Sequence, residues 1–336
     1  MTNKELMIIA ARPAMGKTTL AQNILLYAAH TTQKPCVFFS LEMSGKLIAK
    51  RFASAAGINL SHLNTGDMSE EEWSVFSRVH QNLEKLPLII YDTPRLTVAD
   101  MRAKLNKIRH QHGQIGLVVV DYIGIIGGVD GDDLVNKIGN VTAQLKTIAQ
   151  DFDCPVIALS QLNRGLESRP NKRPLASDLR DSGKIEEHAD KILAIYRDEY
   201  YNQDTQEKGI AEFIILKNRN GATGTVKAIF EGHFSRFVGM EYSQAQASQA
   251  QADSGIPASP KPANLATCLT PLTSQKQAFA EALNQVYRHV VDYETAKRVG
   301  WGLLDKKYGD EKQAAIFWEH HYPKVLAEHQ AGMTFD

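Results

Sequence analysis

The stretch that decides the fold is LMIIAARPAMGKTTLAQ, residues 6–22. An apolar run is followed by small residues, then by GKTT, and then by a segment with helical spacing. A strand, a tight loop and a helix in this order are the context of a phosphate-binding loop. The alternative, a helix start that happens to contain GKT, does not account for the strand before it. The residues predicted to bind nucleotide are Ala11, Arg12, Pro13, Ala14, Met15, Gly16, Lys17, Thr18 and Thr19.

The residue types in this loop suit phosphate chemistry. Small residues let backbone N–H groups approach phosphate oxygens, and the start of the helix adds positive potential. Lys17 is placed to reach the β- and γ-phosphates, and the Thr18 hydroxyl is placed to ligate Mg²⁺. One element departs from the GxxxxGK[ST] pattern, since Ala11 stands where the first glycine is expected. The stretch therefore predicts a site for ATP and Mg²⁺.

Composition bounds the class of protein. The chain has 336 residues, 43 % of them apolar, with 38 basic and 38 acidic side chains. A net charge of zero argues against bulk coating of DNA or membrane, but it leaves room for a local basic channel. No apolar run is long enough to span a bilayer, and no signal segment is evident, so we predict a cytoplasmic protein with no membrane partner. Cys36, Cys154 and Cys268 form no CxxC pair, and the first two are predicted core residues.

Apolar runs recur along the first 240 residues. They are LMIIA, CVFFS, PLIIY, LVVVD, PVIALS, KILAIY and EFIIL, with helical spacing between the first five. Continuous apolar runs are typical of strands buried on both faces, which predicts an α/β fold with a mostly parallel central sheet. Ser69 with Glu72 and Thr97 with Asp100 form capping boxes that mark two helix starts. Residues 211–231 predict a β-hairpin around a Gly- and Asn-rich turn.

The pattern changes after residue 240. Residues 241–274 are rich in Ser, Gln, Ala and Pro, which predicts a flexible linker. Residues 275–336 predict a small appended helical module, because Phe279, Leu283, Val286 and Val290 follow one helix face. The sequence thus divides into a domain at 1–240, a linker and a module of unknown role. No HExxH motif or Cys/His spacing occurs, so no zinc site is predicted.

Three polar residues follow predicted strands and are candidate partners of the phosphate loop. Asp121 ends LVVVD, where a carboxylate would help hold Mg²⁺, although a plain strand-end residue is the alternative. Glu42 follows CVFFS and could activate the attacking water, or could simply start the next helix. Gln161 ends PVIALS, which by itself is a weak signal.

These motifs together resemble a known family. The segments AARPAMGKTT, FFSLEM, VVVDYIGII, SQLNRGLESRPNKRPLASDLRDSGKIEEHADKILAIYRDEYY and ILKNRNGATGTVKAIFEGHFSRF are similar to the C-terminal motor domain of replicative DNA helicases of the DnaB type. The resemblance runs in order from about residue 5 to residue 239 and implies a RecA-like P-loop NTPase fold. Alanine at position 11 is usual in that family. Gly124 departs from it, because the family commonly has glutamine there.

The resemblance assigns roles to matching positions. Lys17 and Thr18 look like the phosphate lysine and the Mg²⁺-ligating threonine, and Asp121 like the Mg²⁺-associated aspartate. Glu42 looks like the catalytic glutamate, and Gln161 like the residue that couples the γ-phosphate to the DNA loops. Arg219 looks like an arginine finger assisted by Lys217, both acting on nucleotide held by the neighbouring subunit. Without the resemblance, Arg219 would be interpreted as a solvated turn residue.

The segment after Gln161 is the predicted DNA-binding region. Basic residues cluster there among interspersed acids, a composition that also suits a mixed, solvated loop. By resemblance, RDSG is the loop that grips the DNA backbone in a central channel, with Asp181 where the family more often has glutamate. The predicted DNA-binding residues are Arg164, Arg180, Asp181 and Gly183.

The resemblance implies an enzyme: an ATP-hydrolysing DNA helicase that forms a ring, expected to be a hexamer, and moves 5′ to 3′ on single-stranded DNA. Relatives carry an N-terminal domain and a linker helix before the motor, for which this sequence has no counterpart. We therefore expect another assembly device, or a shortened or fragmentary chain, with primase or a helicase loader as candidate partners. Two alternatives stay open: a DNA-dependent ATPase of recombination type, and a regulatory subunit that joins a helicase ring without unwinding alone.

Overall fold

The computed structural model describes residues 1–126, 134–179 and 182–240. The predicted linker at 241–274 and the helical module at 275–336 lie outside the described residues. The strands are β1 (Leu6–Ala11), β2 (Cys36–Ser40), β3 (Leu88–Tyr91), β4 (Leu117–Asp121), β5 (Val156–Gln161), β6 (Lys191–Tyr196), β7 (Ile210–Asn218), β8 (Gly224–Glu231) and β9 (Arg236–Gly239). The helices are α1 (Lys17–Thr32), α2 (Gly45–Ala55), α3 (Leu60–Thr65), α4 (Glu70–Lys85), α5 (Val98–His112), α6 (Leu134–Asp151) and α7 (Ser182–His188).

The described strands form one nine-stranded sheet in the order β3-β2-β4-β5-β1-β6-β7-β8-β9. The first six are parallel, and β7, β8 and β9 continue the sheet in antiparallel pairing. The seven apolar runs coincide with β1 to β7, which confirms the predicted α/β architecture. Parallel strands joined by helices place all their carboxyl ends along one edge of the sheet, where α/β proteins bind ligands.

Helices cover both faces of the sheet, and this explains the continuous apolar runs. In β1, Ile8 and Ala10 belong to one hydrophobic cluster, and Ile9 and Ala11 belong to the other. The same alternation sends Phe39 and Phe38 of β2 to opposite faces. Both faces of each of these strands are therefore buried, so neither face needs polar side chains for contact with solvent.

Both predicted capping boxes are present. The Ser69 side chain accepts the Glu72 N–H while the Glu72 carboxylate accepts the Ser69 N–H, and Thr97 and Asp100 repeat the arrangement at α5. The predicted hairpin is also confirmed, as β7 and β8, in register from Ile210 opposite Ile229 to Ile215 opposite Gly224. The short strand β9, which pairs with β8, was not predicted from the sequence.

Cys36 and Cys154 are buried and unbridged, as their apolar settings predicted. Cys268 lies outside the described residues. Among the helices that the structure describes, we find none with the length and apolar character needed to cross a bilayer.

Candidate active site

Four neighbouring strands deliver the predicted site residues to one cleft. The loop after β1, Glu42 after β2, and Gln161 at the end of β5 all line a cleft of about 400 Å³ at the carboxyl edge of the sheet. Asp121 ends β4, which lies between β2 and β5. The strand order β2-β4-β5-β1 therefore assembles residues that lie up to 150 positions apart in the chain.

The loop between β1 and α1 has the backbone conformation that an anion needs. Ala14 and Gly16 both have positive φ angles, 63° and 95°, and Gly16 caps α1 without a side-chain hydrogen bond. The first N–H groups of α1 therefore remain available to a ligand. Met15, by contrast, is 1 % exposed and packs in the core, so only its backbone can serve the predicted nucleotide site.

Two features of the structure require glycine at position 16. Its φ of 95° disfavours a side chain, and a Cβ atom there would lie 2.7 Å from Cζ of Phe237, on β9. The ring of Phe230, on β8, would lie 3.2 Å away. Strands β8 and β9 thus pack closely against the phosphate loop at Gly16.

A Gly16→Ala substitution is expected to cost more than backbone strain alone. Gly57 has a comparable φ of 113°, but no described atom lies within 4 Å of the place a methyl group would take there, so Gly57→Ala is the matched control. Overpacking against Phe237 adds about 1–3 kcal/mol to the shared strain. Urea unfolding of both variants measures the difference, and equal losses of stability would contradict the close contact.

Lys17, Thr18 and Asp121 form the polar centre of the cleft. The Thr18 hydroxyl donates a hydrogen bond of 2.7 Å to Oδ2 of Asp121, and Nζ of Lys17 lies 3.9 Å from Oδ1. The Lys17 ammonium also lies 4.8 Å from the centroid of the Tyr122 ring. Burial lowers the pKa of Lys17, and the charges of Asp121 and Glu42 partly oppose that change. A buried cation with little solvent around it is ready to bind phosphate.

The same residues fit a divalent cation. Asp121 is 1 % exposed, and its Oδ1 accepts no hydrogen bond from any described residue. A buried carboxylate oxygen without a donor is costly unless something binds it. Mg²⁺ commonly binds through one or two protein oxygens together with substrate phosphates. The Thr18 hydroxyl and the Asp121 carboxylate supply oxygens of this kind.

Glu42 sits on a turn that is fixed from both sides. Ser40 Oγ donates to the Met43 carbonyl at 2.6 Å and accepts the Met43 N–H at 3.2 Å. The N–H of Leu41 donates to the Asp121 carbonyl at 2.8 Å. The Glu42 side chain is exposed to the cleft, where a carboxylate can contact a water molecule.

Arg51 is a further cleft residue that was not predicted from the sequence. This arginine of α2 lines the cleft; burial lowers its pKa, and the charges of Asp121 and Glu42 oppose the change. It therefore supplies a second cation near the predicted phosphate position. Its sequence signal is weak, because a lone arginine in an amphipathic helix usually faces solvent.

The side of the cleft formed by β8 was also not predicted from the sequence. Phe230 lines the cleft, and the guanidinium of Arg197 stacks at 4.0 Å from its ring centroid. Arg197 also donates to the Ala14 carbonyl at 3.1 Å, which ties the end of β6 to the phosphate loop. An aromatic face beside a phosphate loop is suited to stacking against a nucleotide base.

Arg12 connects the phosphate loop to the segment that follows Gln161. Its Nε donates to Glu167 at 2.8 Å, and its Nη1 donates to the Leu162 carbonyl at 3.0 Å. The side chain is 9 % exposed and lines the cleft, so the role in nucleotide binding predicted for Arg12 stays a prediction. These two hydrogen bonds also tie the phosphate loop to the predicted DNA-binding segment.

The predicted DNA-binding residues are only partly described. Arg164 and Gly183 are placed at the two ends of the predicted segment, Arg164 being exposed, whereas Arg180 and Asp181 lie outside the described residues. Two other basic side chains of the cluster are held internally: Arg169 pairs with Asp178 at 2.5 Å and Arg173 pairs with Glu212 at 2.6 Å. These two arginines therefore maintain the shape of the segment, leaving Arg164 exposed at its start.

Lys217 and Arg219 lie away from the cleft. Strand β7 runs antiparallel to β6, so Asn218 pairs with Lys191 at the start of β6, while Ala11 pairs with Ile195 near its end. The two cations therefore stand at the opposite edge of the sheet from the phosphate loop, about four residues or 13 Å along the strands. The structure does not bring them together with Lys17 within one chain.

The fold and cleft define a RecA-like P-loop ATPase domain. Residues 1–239 match the family described as "DnaB-like helicase C terminal domain", and the chain belongs to this family. It is 46 % identical over 237 residues to the replicative DNA helicase DnaB of Buchnera aphidicola subsp. Baizongia pistaciae, and 40 % identical over 240 residues to the replicative DNA helicase DnaC of Bacillus subtilis. These alignments cover 69 % and 70 % of this chain. The chain spans about half the length of these relatives, 51 % and 53 %.

Two solved structures support the same family and fold. One that is described as an ATPase domain matches with a TM-score of 0.68 and 32 % identity, covering 71 % of this chain and 86 % of that one. A DnaB-like replicative helicase, described with its interactions with primase, matches with a TM-score of 0.68 and 33 % identity, covering 71 % and 58 %. The resemblance that the sequence motifs indicated is confirmed at the level of family and fold.

Proposed function

We propose that this chain is the ATP-hydrolysing motor of a replicative DNA helicase, assembled as a ring around single-stranded DNA. The observation that carries the proposal is the cleft in which Thr18 and Asp121 are hydrogen-bonded, with Lys17 and Glu42 beside them. Residues 1–240 form the motor, followed by the linker at 241–274 and the helical module at 275–336. A cytoplasmic location accords with this role.

The residues of the cleft divide the work of hydrolysis. The N–H groups at the start of α1, together with Lys17, hold the phosphates of ATP, and Arg51 adds charge from the facing helix. Thr18 and Asp121 would hold Mg²⁺, which when bound would neutralise charge on the phosphate oxygens. Glu42 accepts a hydrogen bond from the attacking water and takes its proton. The face of Phe230 supports the base.

Gln161 and Arg12 link hydrolysis to DNA. Gln161 ends β5 inside the cleft, and the chain continues directly into the exposed Arg164. Arg12 fixes this continuation to the phosphate loop through Leu162 and Glu167. A change at the γ-phosphate therefore has a short path to the segment that we propose contacts DNA, together with Arg180, Asp181 and Gly183.

Lys217 and Arg219 complete the site of a neighbouring subunit. Their position at the edge opposite the phosphate loop favours action in trans, since a cation there cannot reach its own cleft without unfolding β7. Developing charge on the transferred phosphoryl group needs such a cation. A closed ring, which we propose is a hexamer moving 5′ to 3′, gives every cleft a partner edge. By similarity to the helicase solved with primase, a primase or a loader is a candidate partner.

Glu42→Gln tests the catalytic assignment. The amide keeps the size of the side chain but cannot accept a proton, so ATP turnover is expected to fall about 100- to 10,000-fold. Nucleotide affinity, measured with a fluorescent ATP analogue, should change little because the phosphate contacts remain. The exposed Glu71, in the first turn of α4, provides the control Glu71→Gln. Normal turnover by Glu42→Gln would remove Glu42 from the mechanism.

A further inference from the structure

A buried carboxylate, Asp190, connects four elements of the fold. Its Oδ2 accepts the N–H of Leu6 at 2.8 Å and the ammonium of Lys146 at 2.6 Å. Its Oδ1 accepts Nη1 of Arg219 at 3.1 Å. The side chain is 6 % exposed, so its charge is compensated inside the protein by two cations. Asp190, which itself stands just before β6, therefore fixes the start of β1, helix α6 and the β7–β8 turn to one point.

The backbone around Asp190 adds to the hold on Arg219. The N–H of Arg219 donates to the Asp190 carbonyl at 2.9 Å, and Nη2 of Arg219 donates to the Glu187 carbonyl at 3.3 Å. About half of the Arg219 side chain, 51 %, nevertheless remains exposed. A guanidinium has five N–H donors in a rigid plane, and the bonds to Asp190 and Glu187 engage two of its nitrogens. The guanidinium is thus oriented from one side and open on the other.

Lys217 is held by the same helix end. Its ammonium donates to the Ala189 carbonyl at 2.7 Å and to the Glu186 carbonyl. These carbonyls belong to the last turn of α7 and the residue after it, where a helix leaves acceptors unpaired. Both cations are therefore attached to the carboxyl end of α7. The other end of α7 begins directly after Arg180 and Asp181 in the sequence.

We infer that Asp190 is the positioning residue of the trans-acting arginine. It holds the Arg219 guanidinium by one edge, while the carbonyls at the carboxyl end of α7 hold the other edge and the Lys217 ammonium. The inference rests on the proposed function, because it needs Arg219 to act on ATP in a neighbouring cleft. Without Asp190, Arg219 keeps its backbone anchor but loses the ion pair that sets the plane of its side chain.

Asp190→Asn tests this inference in the full chain. The amide keeps the size of the side chain and one oxygen that can accept the Leu6 N–H. It carries no negative charge, so the ion pair with Arg219 is lost. We expect kcat of DNA-stimulated ATP hydrolysis to fall about tenfold, with KM for ATP unchanged within about threefold. The reason is that correct positioning of an arginine finger contributes only part of the finger's roughly 1,000-fold effect on turnover. Lys146→Met is the control: it removes the other ion pair of Asp190 but no contact of Arg219, so kcat of the folded variant should stay within about twofold even if its stability falls.

The decisive measurement is a double-mutant cycle. If Asp190 acts through Arg219, adding Asp190→Asn to Arg219→Ala should lower kcat less than about twofold further. A full tenfold loss in that background, or an equal loss in Lys146→Met, would mean a merely structural role and would overturn the inference. An active parent with an equally active Asp190→Asn variant would also overturn it. A parent chain without ATP hydrolysis would instead overturn the proposed function.

Discussion

Lys17→Ala is expected to lower ATP hydrolysis by about 1,000-fold or more. Lys17 is the buried cation at the first position of α1, where its ammonium lies beside Asp121 and the ring of Tyr122. An alanine at this position leaves the site without that charge. The loss should appear in nucleotide affinity as well as in turnover, because the ammonium contacts the phosphates before and during reaction. Isothermal titration with an ATP analogue and a phosphate-release assay measure the two effects.

The matched control for Lys17→Ala is Lys34→Ala, just beyond the other end of the same helix. Lys34 is exposed, and its ammonium contacts Gln114. Its removal should leave both affinity and turnover within about twofold. The thermal midpoint without nucleotide verifies that Lys17→Ala folds. A folded Lys17→Ala variant that turns over ATP within tenfold of the parent would mean that the loop after β1 is not the phosphate site.

Arg219→Ala is expected to lower turnover to a similar extent, about 1,000-fold, but with a different signature. Since Arg219 lies at the sheet edge opposite its own phosphate loop, nucleotide affinity of the isolated chain should be unchanged. The loss should be rescued in trans. Mixing Arg219→Ala chains, whose clefts are intact, with Lys17→Ala chains, whose arginine is intact, should give more activity than the sum of the two alone.

Lys227→Ala is the control on the same hairpin. Lys227 pairs with Glu207 at the surface of β8, so its loss should leave turnover within about twofold. Failure of the mixed chains to recover activity, with each variant folded, would contradict action between subunits. Loss of nucleotide affinity in Arg219→Ala would point to a role inside its own chain.

The strands and the carboxyl-edge site could be predicted from sequence because each depends on a local signal. Apolar runs buried on both faces identify β1 to β7, and a polar residue at the end of such a run is automatically placed on one edge of a parallel sheet. The positions of Glu42, Asp121 and Gln161 follow from this rule alone. The linker and tail remain predictions, since they lie outside the described residues.

What sequence could not predict depends on contacts between distant elements. Phe237 contacts Gly16 only because the hairpin and β9 continue the sheet past β6. Strand β9 has only four residues, which is too short for a clear sequence signal. Arg51 and Arg197 carry no motif, and their place at the cleft follows from the packing of α2 and from the end of β6. Asp190 precedes a strand as many carboxylates do; its partners Leu6, Lys146 and Arg219 lie 184, 44 and 29 positions away.

Strand separation is the measurement that tests the central claim most directly. A forked duplex with a 5′ single-stranded tail is incubated with the full chain, Mg²⁺ and ATP, and with Lys17→Ala alongside. We expect the parent chain to separate the strands and the Lys17→Ala variant to leave them paired. A parent chain that assembles and hydrolyses ATP on single-stranded DNA, yet leaves the duplex intact, would contradict a helicase motor and favour a subunit that regulates a ring built by other chains.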